Sequence, residues 1–266
     1  NPDPKPHIPN STESAVNCGV AEYANTTQSE PHMRKIRVAV IGAGFMGRVH
    51  TEAVRRLGNV EVAAVVGISE DEARRFGESM GIDRTSGDYR KTIEDPDIEA
   101  VHVCTPNALH HAVSMAAMQA GKHVLCEKPL AMSAAQAREM VDLAERKGLV
   151  NCVNHNLRYY PVVQHVRRMI ENGDLGEILI AQGTYSQDWL LYDTDYNWRI
   201  ESKDNGALRA MGDIGSHWMD MVQHLTGQKI TSLCADLAIF HKTRKKPKFA
   251  VEAFAGKFLK AEDYDE

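Results

Sequence analysis

From residue 34 onward, short runs rich in β-branched residues alternate with longer amphipathic segments, and this rhythm leaves few architectures open. "KIRVAVIG", "VEVAAVVGI", "IEAVHVCTP", "KHVLCEKP" and "LVNCVNHN" read as strands, the first of them buried. Between them, "GRVHTEAVRRLG" is a helix that stops at Gly58 and "SEDEARRFGESMG" a helix capped by Ser69. "NALHHAVSMAAMQAG" and "SAAQAREMVDLAERKG" are helical too, the second capped by Ser133 and closed by Gly148. Strand and helix repeated in this way make βαβ units and a parallel sheet. Right-handed crossovers with helices on both faces make that sheet doubly wound, an α/β fold of Rossmann type.

After about residue 156 the rhythm changes. A helix, "PVVQHVRRMIENG", leads into a strand-like "EILIAQGTYSQ", a polar aromatic loop over 188–206, a further helix and a second strand-like run, "ITSLCADLAIF". The chain is therefore expected to divide into a Rossmann domain over 34–156 and an α+β domain over 157–266. Residues 1–33, rich in Pro, Asn, Ser and Thr without periodicity, are expected to form a disordered tail. The tail's two Asn-x-Ser/Thr triplets, at Asn10 and Asn25, read as chance matches.

Composition excludes several partners. A formal charge of -5 gives no general attraction to nucleic acid or an anionic membrane, and the basic run "HKTRKKPK" reads as a solvated turn. No apolar run is long enough to span a bilayer, and a secretory core is missing from the first thirty-five residues, so a cytoplasmic setting is expected. Five scattered cysteines without a CxxC pair read as reduced thiols, not a disulfide framework or metal site.

"VAVIGAGFMG" places Gly42, Gly44 and Gly47 as GxGxxG at the junction of the first strand and first helix. The first glycine permits the turn, the second lets backbone approach a pyrophosphate, and the third lets helix and strand pack closely. The helix N-terminus, Phe45 and Met46 included, then offers amide N–H groups to the anion. NAD(P) is the cofactor this pattern implies. An acid that would bind the ribose 2'-hydroxyl of NAD is missing at the end of the second strand, where Gly67 stands. Ser69 and Arg74 lie just beyond, with a hydroxyl and a guanidinium suited to a 2'-phosphate, so the expectation leans to NADP.

Two further stretches carry chemistry. "CEKPL" puts Lys128 at the carboxyl end of a parallel strand, in the crevice where such sheets bind ligands. "GDIGSHWMDMVQH" puts Asp213, His217, Asp220 and His224 on one face of a helix, a pattern open to metal binding or to acid/base work. Four residues spread over three turns of one helix cannot all reach one ion, so Asp213 and His217 remain as an acid/base pair and no metal is expected. Asp220 and His224 are left to packing, capping or subunit contacts. The loop "QDWLLYDTDYNWRIES", with Trp198 and Arg199, fits either a substrate rim or aromatic packing.

The set GAGFMG, CTPN (104–107), EKP (127–129), NLRYYP (156–161) and GDIGSH (212–217) resembles the Gfo/Idh/MocA oxidoreductases, the family of glucose-fructose oxidoreductase and inositol 2-dehydrogenase. The resemblance covers residue 34 to the end. It implies a Rossmann domain followed by a domain on a large, mainly antiparallel sheet that carries the substrate site and often the oligomer contact. Catalytic roles are implied for Lys128, Asp213 and His217. A place along the cofactor is implied for Thr105, Pro106, Asn107, His110 and Glu127, and a place near the nicotinamide or substrate for Arg158. Members continue past the point where this chain stops, so the second domain is expected to be truncated.

The expected reaction is hydride transfer between NAD(P) and a secondary alcohol of a sugar, polyol or related cyclic substrate. His217 would be the base, Asp213 would orient it or bind a hydroxyl, and Lys128 would hold the reacting oxygen and the cofactor ribose. The competing classes are a metal-dependent hydrolase using the Asp/His face and a non-catalytic cofactor-binding protein or inactive fragment.

Overall fold

The structure, a computed structural model, describes residues 34–249 and 260–264; the expected tail lies outside them. Six strands form one sheet: β1 (Ile36–Ile41), β2 (Val60–Val66), β3 (Thr85–Ser86), β4 (Ala100–Val103), β5 (His123–Cys126) and β6 (Asn151–Val153). Their order is β3-β2-β1-β4-β5-β6, and every neighbouring pair is parallel. This is the doubly wound order in which a dinucleotide lies at the carboxyl ends of β1 and β4, where the winding reverses.

The central strands are apolar on both faces because helices cover both. Alternate residues of β1 and β2 point to opposite sides, so Ala39, Ile41, Ala64 and Val66 join one buried cluster while Val40 and Val65 pack with Phe76, Met80 and Ile82 in another. Helices α1 (Phe45–Arg55), α2 (Glu70–Met80), α3 (Tyr89–Glu94), α4 (Asn107–Gln119) and α5 (Ala134–Lys147) supply the cover. Ser69 and Ser133 cap α2 and α5 as expected, accepting from the amides of Glu72 and Gln136. Strand β3 and helix α3 are additions to the expected set; two and six residues are too few to show a period.

Beyond β6, a 3-10 turn (Asn156–Tyr159) leads into α6 (Pro161–Glu171). Helix α7 (Ser202–Asn205) and a π turn (Met211–Gly215) precede α8 (Ser216–Thr226). Two expectations change here. The runs over 177–187 and 230–240 form no strand, and the antiparallel sheet does not assemble among the described residues, where Pro247 and Tyr264 make an isolated antiparallel bridge. A strand is held by its ladder partners, and among the described residues neither run has one: Leu179 and Phe240 stand 81% and 91% exposed. The helix expected from Gly212 also begins with a π turn, which closes i→i+5 and shifts the side-chain spacing at its start. Among the described residues no helix is long and apolar enough to cross a membrane.

Candidate active site

The glycine turn after β1 separates packing from ligand space. Gly42 has φ +117°, and a Cβ there would strike the carbonyl oxygen of Cys104 on β4's exit. A Cβ at Gly47 would strike the carbonyl of Gly42. Gly44 differs: its φ is -92°, and a Cβ would meet nothing within 4 Å among the described residues. Neither backbone strain nor the chain's own packing requires glycine at 44. The bare backbone faces open space at the start of α1, a cradle that a side chain would fill and a pyrophosphate fits.

The exit of β4 forms the neighbouring wall. Thr105 has a buried hydroxyl with no hydrogen-bond partner among the described residues. Pro106 caps α4. Asn107, nearly buried, donates its side-chain amide to Asn205 Oδ1 at 2.6 Å, which joins α4 to α7. His110 departs from expectation: with 0% exposure it cannot touch a cofactor. Its Nε2 lies 2.9 Å from the Thr105 carbonyl and its Nδ1 2.7 Å from the Pro129 carbonyl, so it clamps the β4 and β5 exits together. Burial pushes this imidazole down, more than the two carbonyls raise it.

Glu127 is likewise turned inward. One carboxylate oxygen accepts from Asn154 Nδ2 at 2.6 Å and pairs with His50 Nε2 at 2.9 Å, and the other accepts from the Lys128 amide at 3.2 Å. Burial pushes its pKa up, but the His50 and Asn154 hydrogen bonds outweigh burial and hold it below the ordinary carboxylate value. His50 in turn meets His102, Nδ1 to Nδ1 at 3.0 Å, and burial and then His50 push His102 down to about 4. The sequence reading missed His50, His102 and Asn154. The one available signal is the place of His50, three residues beyond Gly47 on the first helix.

This network holds Lys128 at the carboxyl end of β5. Its Nζ donates to Asp213 Oδ1 at 2.6 Å and to the Asp213 carbonyl at 2.8 Å. Arg199 Nε approaches the same carboxylate oxygen at 3.4 Å. Of the two roles expected for Asp213, orienting His217 or binding a hydroxyl, the first is not made: no hydrogen bond joins the two residues, because the π turn sets the carboxylate toward Lys128 and Arg199. His217 is buried at 8% exposure and lies edge-on to His155, ring centroids 5.5 Å apart, with Tyr185 at 6.3 Å. Burial, and after it the charge of Lys128, lowers His217 to about 4, so its imidazole is neutral at pH 7. The Nδ1 atoms of His217 and His155 are buried without partners among the described residues.

The other expected site residues divide. Arg158 forks both oxygens of Asp220, with Nε to Oδ2 at 2.6 Å, and ties the 3-10 turn to α8 rather than joining the Lys128–Asp213 pair. His224 pairs with Gln164 and Arg167 of α6, so Asp220 and His224 hold helices together. Trp198 stacks under the Arg199 guanidinium at 4.5 Å, and Trp189 lies 5.9 Å from it. Arg199, Trp189, Tyr196 and Asp213 line a cavity of about 830 Å³, within the range of small-molecule sites, that touches Asp213 but not His217. Ser69 Oγ accepts from Glu72, and Arg74 is paired with Asp71 and Glu78, so both expected 2'-phosphate ligands are engaged within α2. Among the described residues no group of three or more His, Cys, Asp or Glu could hold a metal.

Sheet order, open glycine cradle and crevice-facing Lys128 define the class: a dinucleotide-binding α/β protein of Rossmann type. Family models place it further. Residues 36–155 match the oxidoreductase family with an NAD-binding Rossmann fold, and residues 163–263 match the GFO/IDH/MocA C-terminal domain. The chain belongs to the Gfo/Idh/MocA family. It is similar to levoglucosan dehydrogenase of Pseudarthrobacter phenanthrenivorans, 37% identical over 74% of this chain and 52% of that one. It is also similar to scyllo-inositol 2-dehydrogenase (NADP(+)) of Bacillus subtilis, 30% identical over 72% of this chain and 52% of the relative. A solved levoglucosan dehydrogenase, in complex with NADH and levoglucosan, superposes with a TM-score of 0.71 at 34% identity, covering 73% of this chain and 55% of that one. The chain spans about half the length of these relatives.

Proposed function

We propose that the chain is the cofactor-binding and catalytic portion of a dehydrogenase that moves a hydride between NAD(P) and a secondary alcohol of a sugar, polyol or related cyclic compound. One observation carries the reading: Lys128 at the carboxyl end of β5 holds Asp213 at 2.6 Å, at the same end of the parallel sheet as the open Gly44 cradle after β1. Residues 34–156 act as the cofactor domain, and residues 157–266 bring Asp213, His217 and the Arg199 loop to it.

Gly42, Gly44 and Gly47, with the amides of Phe45 and Met46, would hold the pyrophosphate, and Thr105 and Pro106 would flank the cofactor. Held there, a nicotinamide would supply the hydride acceptor or donor. Lys128 places positive charge on the reacting oxygen and stabilises it as an alkoxide. Asp213 fixes the Lys128 Nζ and offers its second oxygen to a neighbouring hydroxyl. His217, neutral at pH 7, accepts the hydroxyl proton, and the Asp213 and Glu127 charges offset part of the burial and Lys128 charge that disfavour the imidazolium. Trp198 supports the Arg199 guanidinium, which with Trp189 lines the cavity wall against which a sugar ring would stack.

The setting read with this activity is cytoplasmic, with Cys104, Cys126, Cys152 and Cys234 as thiols. Copies associate through 157–266, where Leu179, Ile180 and Phe240 are exposed. A fluorescence titration with NADH and NADPH, followed by turnover on a polyol and sugar panel, tests the reading. Binding without turnover on any alcohol would favour a non-catalytic cofactor binder.

A further inference from the structure

We infer that Glu72 selects against the 2'-phosphate, so that the cradle takes NAD in preference to NADP. The inference rests on the dinucleotide reading of the site and names the residue that sets its cofactor class. In the β3-β2-β1-β4-β5-β6 order the adenosine ribose lies at the carboxyl end of β2, where a strand acid commonly takes the 2'-hydroxyl. Here that place is Gly67, whose amide bonds the Ser86 carbonyl of β3's end. A Cβ on Gly67 would lie 2.8 Å from Glu72 Oε2 and 2.7 Å from the Ala73 amide nitrogen. The position is therefore covered by a carboxylate delivered from the first turn of α2 instead of from the strand.

Glu72 is fixed in that place. Its Oε2 accepts from the Ile68 amide at 2.6 Å, and its own amide donates to Ser69 Oγ at 3.2 Å. Among the described residues Oε1 takes no hydrogen bond, which leaves one acceptor for a ribose hydroxyl. Arg74 and Arg75, the α2 cations that could offset a phosphate, are each drawn to acids of their own helix in exposed pairs, Arg74 to Asp71 and Glu78 and Arg75 to Asp71. A 2'-phosphate would thus meet the Glu72 carboxylate as a like charge, whereas a 2'-hydroxyl would meet an acceptor.

The test measures NADH and NADPH dissociation constants for the chain and for Glu72→Gln, which keeps an oxygen for the Ile68 amide, and for Glu72→Ala. NADH is expected to bind at least about tenfold more tightly than NADPH, the scale of one unscreened like-charge contact at a partly exposed site. Both variants are expected to weaken NADH, strengthen NADPH and bring the ratio close to one. NADH binding with an unchanged ratio in both variants, or NADPH preferred by the unsubstituted chain, overturns the inference and leaves the dinucleotide site standing. Failure of the unsubstituted chain to bind either cofactor overturns the site reading and this inference with it.

Discussion

The Lys128 side chain bonds both the carboxylate and the backbone carbonyl of Asp213, at 2.6 and 2.8 Å, so the end of β5 and the π turn before α8 are fastened at one atom. Each residue is mostly buried, 12% and 15% exposed at the side chain, which makes the contact more than a surface ion pair. Removing Lys128 leaves a shielded carboxylate with Arg199 as its remaining cation. Lys128→Met is expected to lower kcat by about two to three orders of magnitude, the scale for loss of one oxyanion-stabilising donor. NADH affinity should change far less. Steady-state kinetics beside a binding titration separate the two effects.

The pH dependence follows from His217. With its pKa near 4, activity should stay level from pH 7 to about pH 5 and fall only as pH approaches 4, where the imidazole takes up a proton and stops accepting one. An acid limb of kcat/KM near the ordinary histidine value of about 6.5 would contradict this. Stability moves the same way. Between about 6.5 and 4 the unfolded chain binds protons that folded His217 and His102 do not, so stability is complete above that window and is lost as pH falls through it. His102→Phe should flatten the slope in denaturant unfolding across this window.

Glu127 predicts a stability effect. Its carboxylate is 6% exposed and satisfied by His50, Asn154 and the Lys128 amide. His50→Leu removes one partner from a buried charge, at a cost of roughly 3 kcal/mol by urea unfolding. Activity should fall as well, since the same carboxylate positions the Lys128 backbone.

Two glycines should respond in opposite ways. Gly42→Ala forces a side chain onto the Cys104 carbonyl at φ +117° and is expected to destabilise the fold. Gly44→Ala meets only open space, so melting should be close to unchanged while NADH binding weakens. Equal NADH affinity in Gly44→Ala would contradict the placement of the pyrophosphate.

Local chemistry was legible in the sequence where each decision is made within a few residues. The strand and helix series, the Ser69 and Ser133 caps and the glycine turn depend on neighbours, and the structure has them. The Glu127–His50 pair, by contrast, joins residues 77 positions apart, and the Arg158–Asp220 fork joins residues 62 apart. The family resemblance implied cofactor or substrate places for Arg158, Glu127 and His110, and nothing local distinguishes such paired side chains from ligand-facing ones. The π turn escaped for another reason: a helical pattern carries no mark of one inserted residue, and that insertion turns Asp213 toward Lys128. The runs over 177–187 and 230–240 have strand composition, but composition does not supply partners.

Lys128 and Asp213 are proposed to act together on an alcohol beside the nicotinamide. The most direct measurement follows nicotinamide reduction by the 266-residue chain with a sugar and polyol panel, in parallel with Lys128→Met and with NADH binding to both. Reduction is expected with at least one cyclic alcohol, with its loss in Lys128→Met and NADH binding retained in both proteins. Undiminished reduction in Lys128→Met, or no NADH binding by the unsubstituted chain, would contradict it.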